Sequence, residues 1–285
     1  MRSMAISVTL LGTGSPIPDA NRAGPSTLVA AGSARLLVDA GRGVLMRLAG
    51  AGAFPVMLDA VLLTHLHSDH ITDLNDVITT HWVMSLTGAP LQVYGPPGTQ
   101  AVVDGVQAML TADVGYRLAH HDDFAGPPAV EVHELDVRDG SERFRIADVD
   151  IVVQPTDHRP VEPTVGYRIS HDGRSVAIAG DTVPCAGLDQ LCAGVDLYVQ
   201  TVIRPDLVRL LPNRRIQDIV DYHSSVEQAA QTAARAGVGT LVCTHFVPPL
   251  VAGQEEAWRA LAAAHFDGAI ILAEDLMTVE PAPRG

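Results

Sequence analysis

The segment Thr64-His65-Leu66-His67-Ser68-Asp69-His70 places three histidines and one aspartate within six positions. Imidazole and carboxylate are favoured ligands for Zn²⁺ and similar divalent ions. Residues two apart in an extended turn can point the same way, so His65 and His67 can share one ion. Asp69 and His70, on the next turn, can face a second ion nearby. The cluster follows the apolar run 59–64, which reads as a buried strand, and ligands in open α/β sheets gather beyond strand ends.

One cluster cannot fill two ions, so further ligands must come from elsewhere. Three residues stand in the same setting, where an apolar run enters a loop: His158 after Ile151-Val-Val-Gln-Pro-Thr-Asp, Asp181 after Val176-Ala-Ile-Ala-Gly, and His245 after Leu241-Val-Cys-Thr. Each alone is a weak signal. Four strand ends carrying the same ligand chemistry form a stronger one.

Other features have two readings each. His120-His121-Asp122-Asp123 reads as a polar loop, with a third metal site as the alternative. Arg204, Arg209, Arg214 and Arg215 lie within twelve residues, either as a lid touching substrate phosphates or as a solvated helix face. Gly12-Thr-Gly-Ser-Pro lacks the third glycine of a dinucleotide fingerprint, and Pro16 argues against a helix start there.

The elements that must position these groups follow from periodicity and punctuation. Strands are expected at 6–11, 27–31, 34–39, 59–64, 130–137, 144–146, 149–154, 164–170, 175–179, 197–202, 241–244 and 270–272. The pair 164–170 and 175–179 flanks His171-Asp172-Gly173-Arg174, a hairpin signal. Helices are expected at 43–50, 73–87, 98–111, 224–236 and 254–266, and residues 112–128 read as loop. Ser224 with Glu227 forms a capping box at the start of helix 224–236, and Gly237 stops it. Strands come in two sets, each accompanied by helices. That pattern predicts an α/β fold, a four-layered α/β/β/α sandwich, in a single domain over residues 1–285.

Composition sets limits. The chain has 285 residues, 47% of them hydrophobic, enough for a real core. No stretch approaches the roughly 20 apolar residues of a membrane span. The N-terminal apolar run meets Gly-Thr-Gly and prolines at once, so it reads as a first strand rather than a signal peptide. Net charge is −14 and every basic residue is arginine. Nucleic acid is therefore repelled at long range, and any RNA-facing surface must be a local arginine patch. Cys185, Cys192 and Cys243 give an odd count without metal-type spacing, which fits a reducing cytoplasm.

The chain resembles the metallo-β-lactamase fold in its ribonuclease Z and arylsulfatase-like branch. The matching residues are Leu10-Leu-Gly-Thr-Gly-Ser-Pro, the His65–His70 cluster, Asp157-His158, Gly166-Tyr-Arg-Ile, Gly180-Asp181-Thr182, His223-Ser224-Ser225 and Thr244-His245-Phe246, in the family's order. The resemblance implies two divalent ions, Zn²⁺ first and Mn²⁺ as the alternative. His65, His67 and His158 would hold one, Asp69, His70 and His245 the other, with Asp181 bridging. It implies a phosphodiesterase that removes 3′ trailers from tRNA precursors by a metal-activated hydroxide. Asp69 would serve as general base, and His223 would protonate the leaving 3′ oxygen. Ser224, Ser225 and Arg204 would contact substrate, and the protein would be a homodimer.

One departure stands out. Bacterial members of the branch insert a basic arm that grips tRNA between the positions matching His158 and Asp181, and here one hairpin fills that interval. A hydrolase of small phosphate or sulfate esters, such as an arylsulfatase, is therefore the second reading. A metal-bound RNA-binding or scaffold protein without turnover is the third.

Overall fold

The structure, a computed structural model, describes residues 6–138 and 140–281. The ends of the domain expected over 1–285 lie outside the described residues. Two seven-stranded sheets make the frame. The first runs β14 (Met277–Val279), β1 (Ser7–Gly12), β2 (Ser26–Ala31), β3 (Ala34–Val38), β4 (Ala60–Leu62), β5 (Leu91–Gly95) and β6 (Val130–Glu134). The second runs β13 (Ala269–Leu272), β12 (Thr240–Val247), β11 (Leu197–Ile203), β10 (Arg174–Ile178), β9 (Val161–His171), β8 (Val149–His158) and β7 (Glu142–Ile146). Each sheet has an antiparallel part and a parallel part, the parallel pairs running β3 to β6 and β10 to β13.

The strand period decides what each face buries. Leu36, Val38 and Leu62 point into the space between the sheets, where they meet Ile151, Val153, Tyr167, Val199 and Val242 of the second sheet. Their neighbours Leu37, Val61 and Leu63 point the other way, under α1 (Val44–Gly50), α3 (Leu74–Met84) and α4 (Thr99–Met109). On the far side, Tyr198, Leu241 and Cys243 pack under α6 (Ala186–Cys192), α9 (Val226–Ala236) and α10 (Glu255–Ala263). The result is the expected four-layered sandwich. Strands β11 and β12, covered on both faces, are buried along their whole length.

The short helices α2 (Ser68–Ile71), α7 (Pro205–Val208) and α8 (Arg214–Gln217) lie on connections around the site. The structure corrects three expectations. Residues 112–120, expected as the start of a loop, belong instead to α5 (Thr111–His120), with Asp113 and Arg117 paired one turn apart at 2.8 Å and no residue buried. The capping box belongs to Ser225 and Gln228 rather than Ser224 and Glu227. Ser224 sits one residue too early, and its hydroxyl is turned inward to donate to the Thr182 carbonyl at 2.7 Å. Ser225 takes the extended N-cap conformation, exchanges bonds with Gln228, and contributes about 1 kcal/mol to the helix. The third is an omission: β14 closes the first sheet against β1, through pairs such as Val8 with Val279.

Candidate metal centre

Four loops converge at one end of the sandwich. His65, His67, Asp69 and His70 follow β4, with Asp69 and His70 on α2. His158 ends β8, Asp181 follows β10, and His245 sits in β12. Sequence reasoning named all seven, and they come together. Two groups form, His65 with His67, His158 and Asp181, and Asp69 with His70 and His245; within each, the ligand atoms lie within 4.8 Å of one another.

The spacing within the groups is that of ligands around an ion. His67 Nδ1 lies 3.1 Å from His65 Nε2 and 3.2 Å from His158 Nε2. His245 Nε2 is 3.2 Å from Asp69 Oδ2, and His70 Nε2 is 3.6 Å from the same oxygen. Tetrahedral ligands with bonds of about 2.0–2.1 Å stand roughly 3.3 Å apart. One oxygen joins the groups. Asp181 Oδ2 faces five imidazole nitrogens, at 3.8 Å from His65, 3.5 Å from His70, 3.9 Å from His158, 3.2 Å from His223 and 3.6 Å from His245.

The residues fit a pair of divalent cations. His70 Nε2 and Asp181 Oδ1 are buried and without a hydrogen-bond partner, a costly state that a cation relieves. The electrostatics agree. Burial pushes His65 well below the usual imidazole range, with His70 adding to the effect, and pushes His158 to about 4. Burial alone would raise Asp181, but His245, His70 and His223 outweigh it and hold the carboxyl well below its ordinary value. Burial likewise opposes charge on His70, yet Asp181 and Asp39 overcome it and raise His70 well above 6.5. Asp181 and Asp69 likewise raise His245 against the effect of burial.

Local backbone serves the approach. Gly180 has φ 66°, and a Cβ there would stand 2.7 Å from Thr64 Cβ. Only glycine lets the Asp181 loop lie against the His65 loop. His245 has φ 51°, in the left-handed region that non-glycine residues rarely enter, as is common where a site holds its backbone under strain.

His223 lies beside both groups without joining either. Its Nδ1 donates to the Ile219 carbonyl at 2.9 Å, leaving Nε2 toward Asp181. His158 Nδ1 donates to the Tyr222 carbonyl at 2.8 Å. The stretch from α8 to Tyr222 thus orients two site imidazoles through main-chain oxygens, which carry no sequence signal. Sequence reasoning also missed Asp39, whose Oδ2 accepts from His70 Nδ1 at 2.8 Å. A carboxylate closing the apolar run Leu36-Leu-Val-Asp39 was the available signal, the same setting that pointed to Asp181.

The residues expected to contact substrate are placed otherwise. Ser224 is buried on Thr182, and the Ser225 hydroxyl accepts from Gln228 N. Arg204 pairs with Asp206 and lies 5.6 Å over the Trp258 ring. Arg209, Arg214 and Arg215 are exposed. The His120–Asp123 stretch joins no metal-type group among the described residues.

This frame and this pair of ligand groups define a hydrolase of the metallo-β-lactamase type. Residues 34–246 match the beta-lactamase superfamily domain. Over 277 residues, 96% of this chain and 98% of the relative, the sequence is 60% identical to a ribonuclease Z of Mycobacterium avium (strain 104). A ribonuclease Z of Mycolicibacterium gilvum is 59% identical over 280 residues, 98% of this chain and 97% of that one. The chain belongs to the ribonuclease Z family of this superfamily. The fold is shared with human tRNase Z, short form, at TM-score 0.71 and 23% identity, covering 97% of this chain and 100% of that one.

Proposed function

We propose that the protein is a binuclear phosphodiesterase that cuts 3′ trailers from tRNA precursors. The observation that carries this is the single Asp181 oxygen ringed by five imidazoles and shared between two ligand groups. His65, His67 and His158 would hold one ion, Asp69, His70 and His245 would hold the other, and Asp181 would serve both. Two divalent ions in such a site, when bound, acidify a shared water and neutralise charge on the attacked phosphoryl group. Zinc suits the nitrogen-rich donors, and manganese is the alternative they accommodate.

The chain's own groups then move the protons. Asp69 keeps one oxygen against His245 and His70, and its other oxygen accepts a proton from the attacking water. As the water oxygen bonds to phosphorus, the bond from phosphorus to the 3′ oxygen breaks. His223, anchored by Ile219, gives its Nε2 proton to that leaving oxygen. Asp181 steadies His223 from the other side.

The protein acts as one domain and, by resemblance, as a homodimer in the cytoplasm. All three cysteines are free, which suits a reducing compartment, and no helix among the described residues is long and apolar enough to cross a membrane.

The test is single-nucleotide mapping of products from a 3′-extended tRNA precursor, with Asp69→Ala as control. Cleavage just after the discriminator base, lost in the variant, is the expected result. The interval from His158 to Asp181 holds only the tight β8–β9 turn, where His158 pairs directly with Val161, and the β9–β10 hairpin, which favours a second reading, a hydrolase of small phosphate or sulfate esters. Turnover of aryl sulfate with no cleavage of the precursor would select it.

A further inference from the structure

The chain leaves the second sheet after β11 and returns at α9 through an excursion, residues 204–223, that carries α7, α8 and a 3₁₀ turn at Asp218–Asp221. The excursion is firmly held. Ile216, Ile219 and Val220 pack with Ile17 against Ile203, Val208 and Val247. Gln217 Nε2 donates to the carbonyls of Arg209 at 3.2 Å and Leu211 at 2.7 Å, and Asn213 Oδ1 accepts from Arg215 N at 3.0 Å. Its inner side meets the metal centre, where the carbonyls of Ile219 and Tyr222 accept from His223 and His158.

Its outer side carries arginines. Arg204 is spent on Asp206, and Arg214 faces Asp218 at 4.0 Å. Arg209 and Arg215 are exposed and pair with no carboxylate among the described residues. Elsewhere this chain neutralises its arginines: Arg47 with Asp275, Arg117 with Asp113, Arg159 with Asp157 and Arg235 with Asp189. A guanidinium already matched to a carboxylate offers little to a phosphate, whereas an unmatched one can grip it with two hydrogen bonds. Because α8 runs directly into the 3₁₀ turn, Arg215 stands about 6–8 Å of helix away from Ile219, the residue that anchors His223.

With net charge −14, the protein repels RNA at long range, so holding a strand requires fixed local guanidiniums beside the site. We propose that Arg209 and Arg215 form a phosphate-binding surface for the RNA strand adjoining the scissile bond. This rests on the tRNA-precursor reading above and names where the chain grips that substrate. One excursion then serves two ends: its main-chain oxygens orient the imidazoles, and its guanidiniums hold the phosphates of neighbouring nucleotides. A small ester has no neighbouring phosphate to offer them.

The experiment measures kcat and KM for a 3′-extended tRNA precursor over a range of salt concentrations. It compares wild type, Arg209→Ala/Arg215→Ala and a control that loses the same charge, Arg143→Ala/Arg145→Ala. Arg143 and Arg145 are exposed on β7, opposite Val152 and Asp150, six and eight positions before His158 and about 20 Å or more from it along the strand. The Arg209 and Arg215 variant should raise KM about tenfold with kcat within about twofold, and the slope of log KM against log salt concentration should fall by about 1–2. The control should leave KM within about twofold. Melting curves separate lost binding from lost fold. An equal rise in KM in both variants would assign the effect to overall charge and overturn the proposal. So would an unchanged KM in the Arg209 and Arg215 variant, or a fall in kcat with KM unchanged. Wild-type protein that hydrolyses bis(p-nitrophenyl) phosphate but leaves the precursor whole would overturn the tRNA reading itself and the proposal with it.

Discussion

His223 Nε2 lies 3.2 Å from Asp181 Oδ2, closer to that oxygen than any of the four ligand histidines that share it. His223 therefore touches the carboxylate common to both ligand groups while its own ring is tied back to Ile219. This geometry suits proton delivery and leaves metal capture to other residues.

Replacing His223 with Ala should lower kcat by roughly 10²–10⁴, the usual worth of a positioned acid. Metal content, measured by elemental analysis of the purified variant, should stay at the wild-type level. Loss of metal would reassign His223 as a ligand.

Asp69→Ala should reduce cleavage of both a tRNA precursor and an activated small diester by more than about a thousandfold, since on the proposed mechanism the residue would serve both as base and as ligand. The far-ultraviolet spectrum should be unchanged, because Asp69 caps no helix and fills no core. A variant that cleaves the precursor normally would remove Asp69 from the chemistry.

Stripping the metal should give a stability maximum near pH 6.5. His65 and His158 are held below the unfolded value by burial, so the fold must keep them neutral. From about 6.5 down to about 4 the unfolded chain binds protons that the fold refuses, and stability falls with pH. His70 and His245 are held above it by Asp181 with Asp39 or Asp69, against the effect of burial. Their contribution is complete below 6.5 and is lost as pH rises through their raised values. Urea midpoints of chelator-treated protein across pH 4–9 check this, and a steady rise to pH 9 would contradict it.

Arg204→Ala should act on stability and leave KM for a tRNA precursor within about twofold. Its guanidinium is committed to Asp206 and to the Trp258 face, a stacked contact worth about 1 kcal/mol when shielded from water. A lowered melting temperature with unchanged KM is expected. A large rise in KM would return Arg204 to the substrate surface.

Much of this protein was decided locally. The His65–His70 spacing, the apolar runs ending at His158, Asp181 and His245, and the alternation that sorts Leu36 from Leu37 are properties of short segments, and short segments express their own periodicity. What lay beyond reach were partnerships across the fold. Asp39 meets His70 from 31 positions away because β3 pairs with β4 in one register. Which of two adjacent serines caps α9 turned on whether the Thr182 carbonyl was there to take Ser224. Arg204 faces Trp258 because α10 packs where β12 returns the chain. Helix α5 formed without burying a residue, so no apolar stripe toward a core announced it. Residue types and spacing determined which groups could bind metal. Strand register and layer packing alone decided that a single oxygen of Asp181 would stand among all of them, since that position depends on four loops meeting at once.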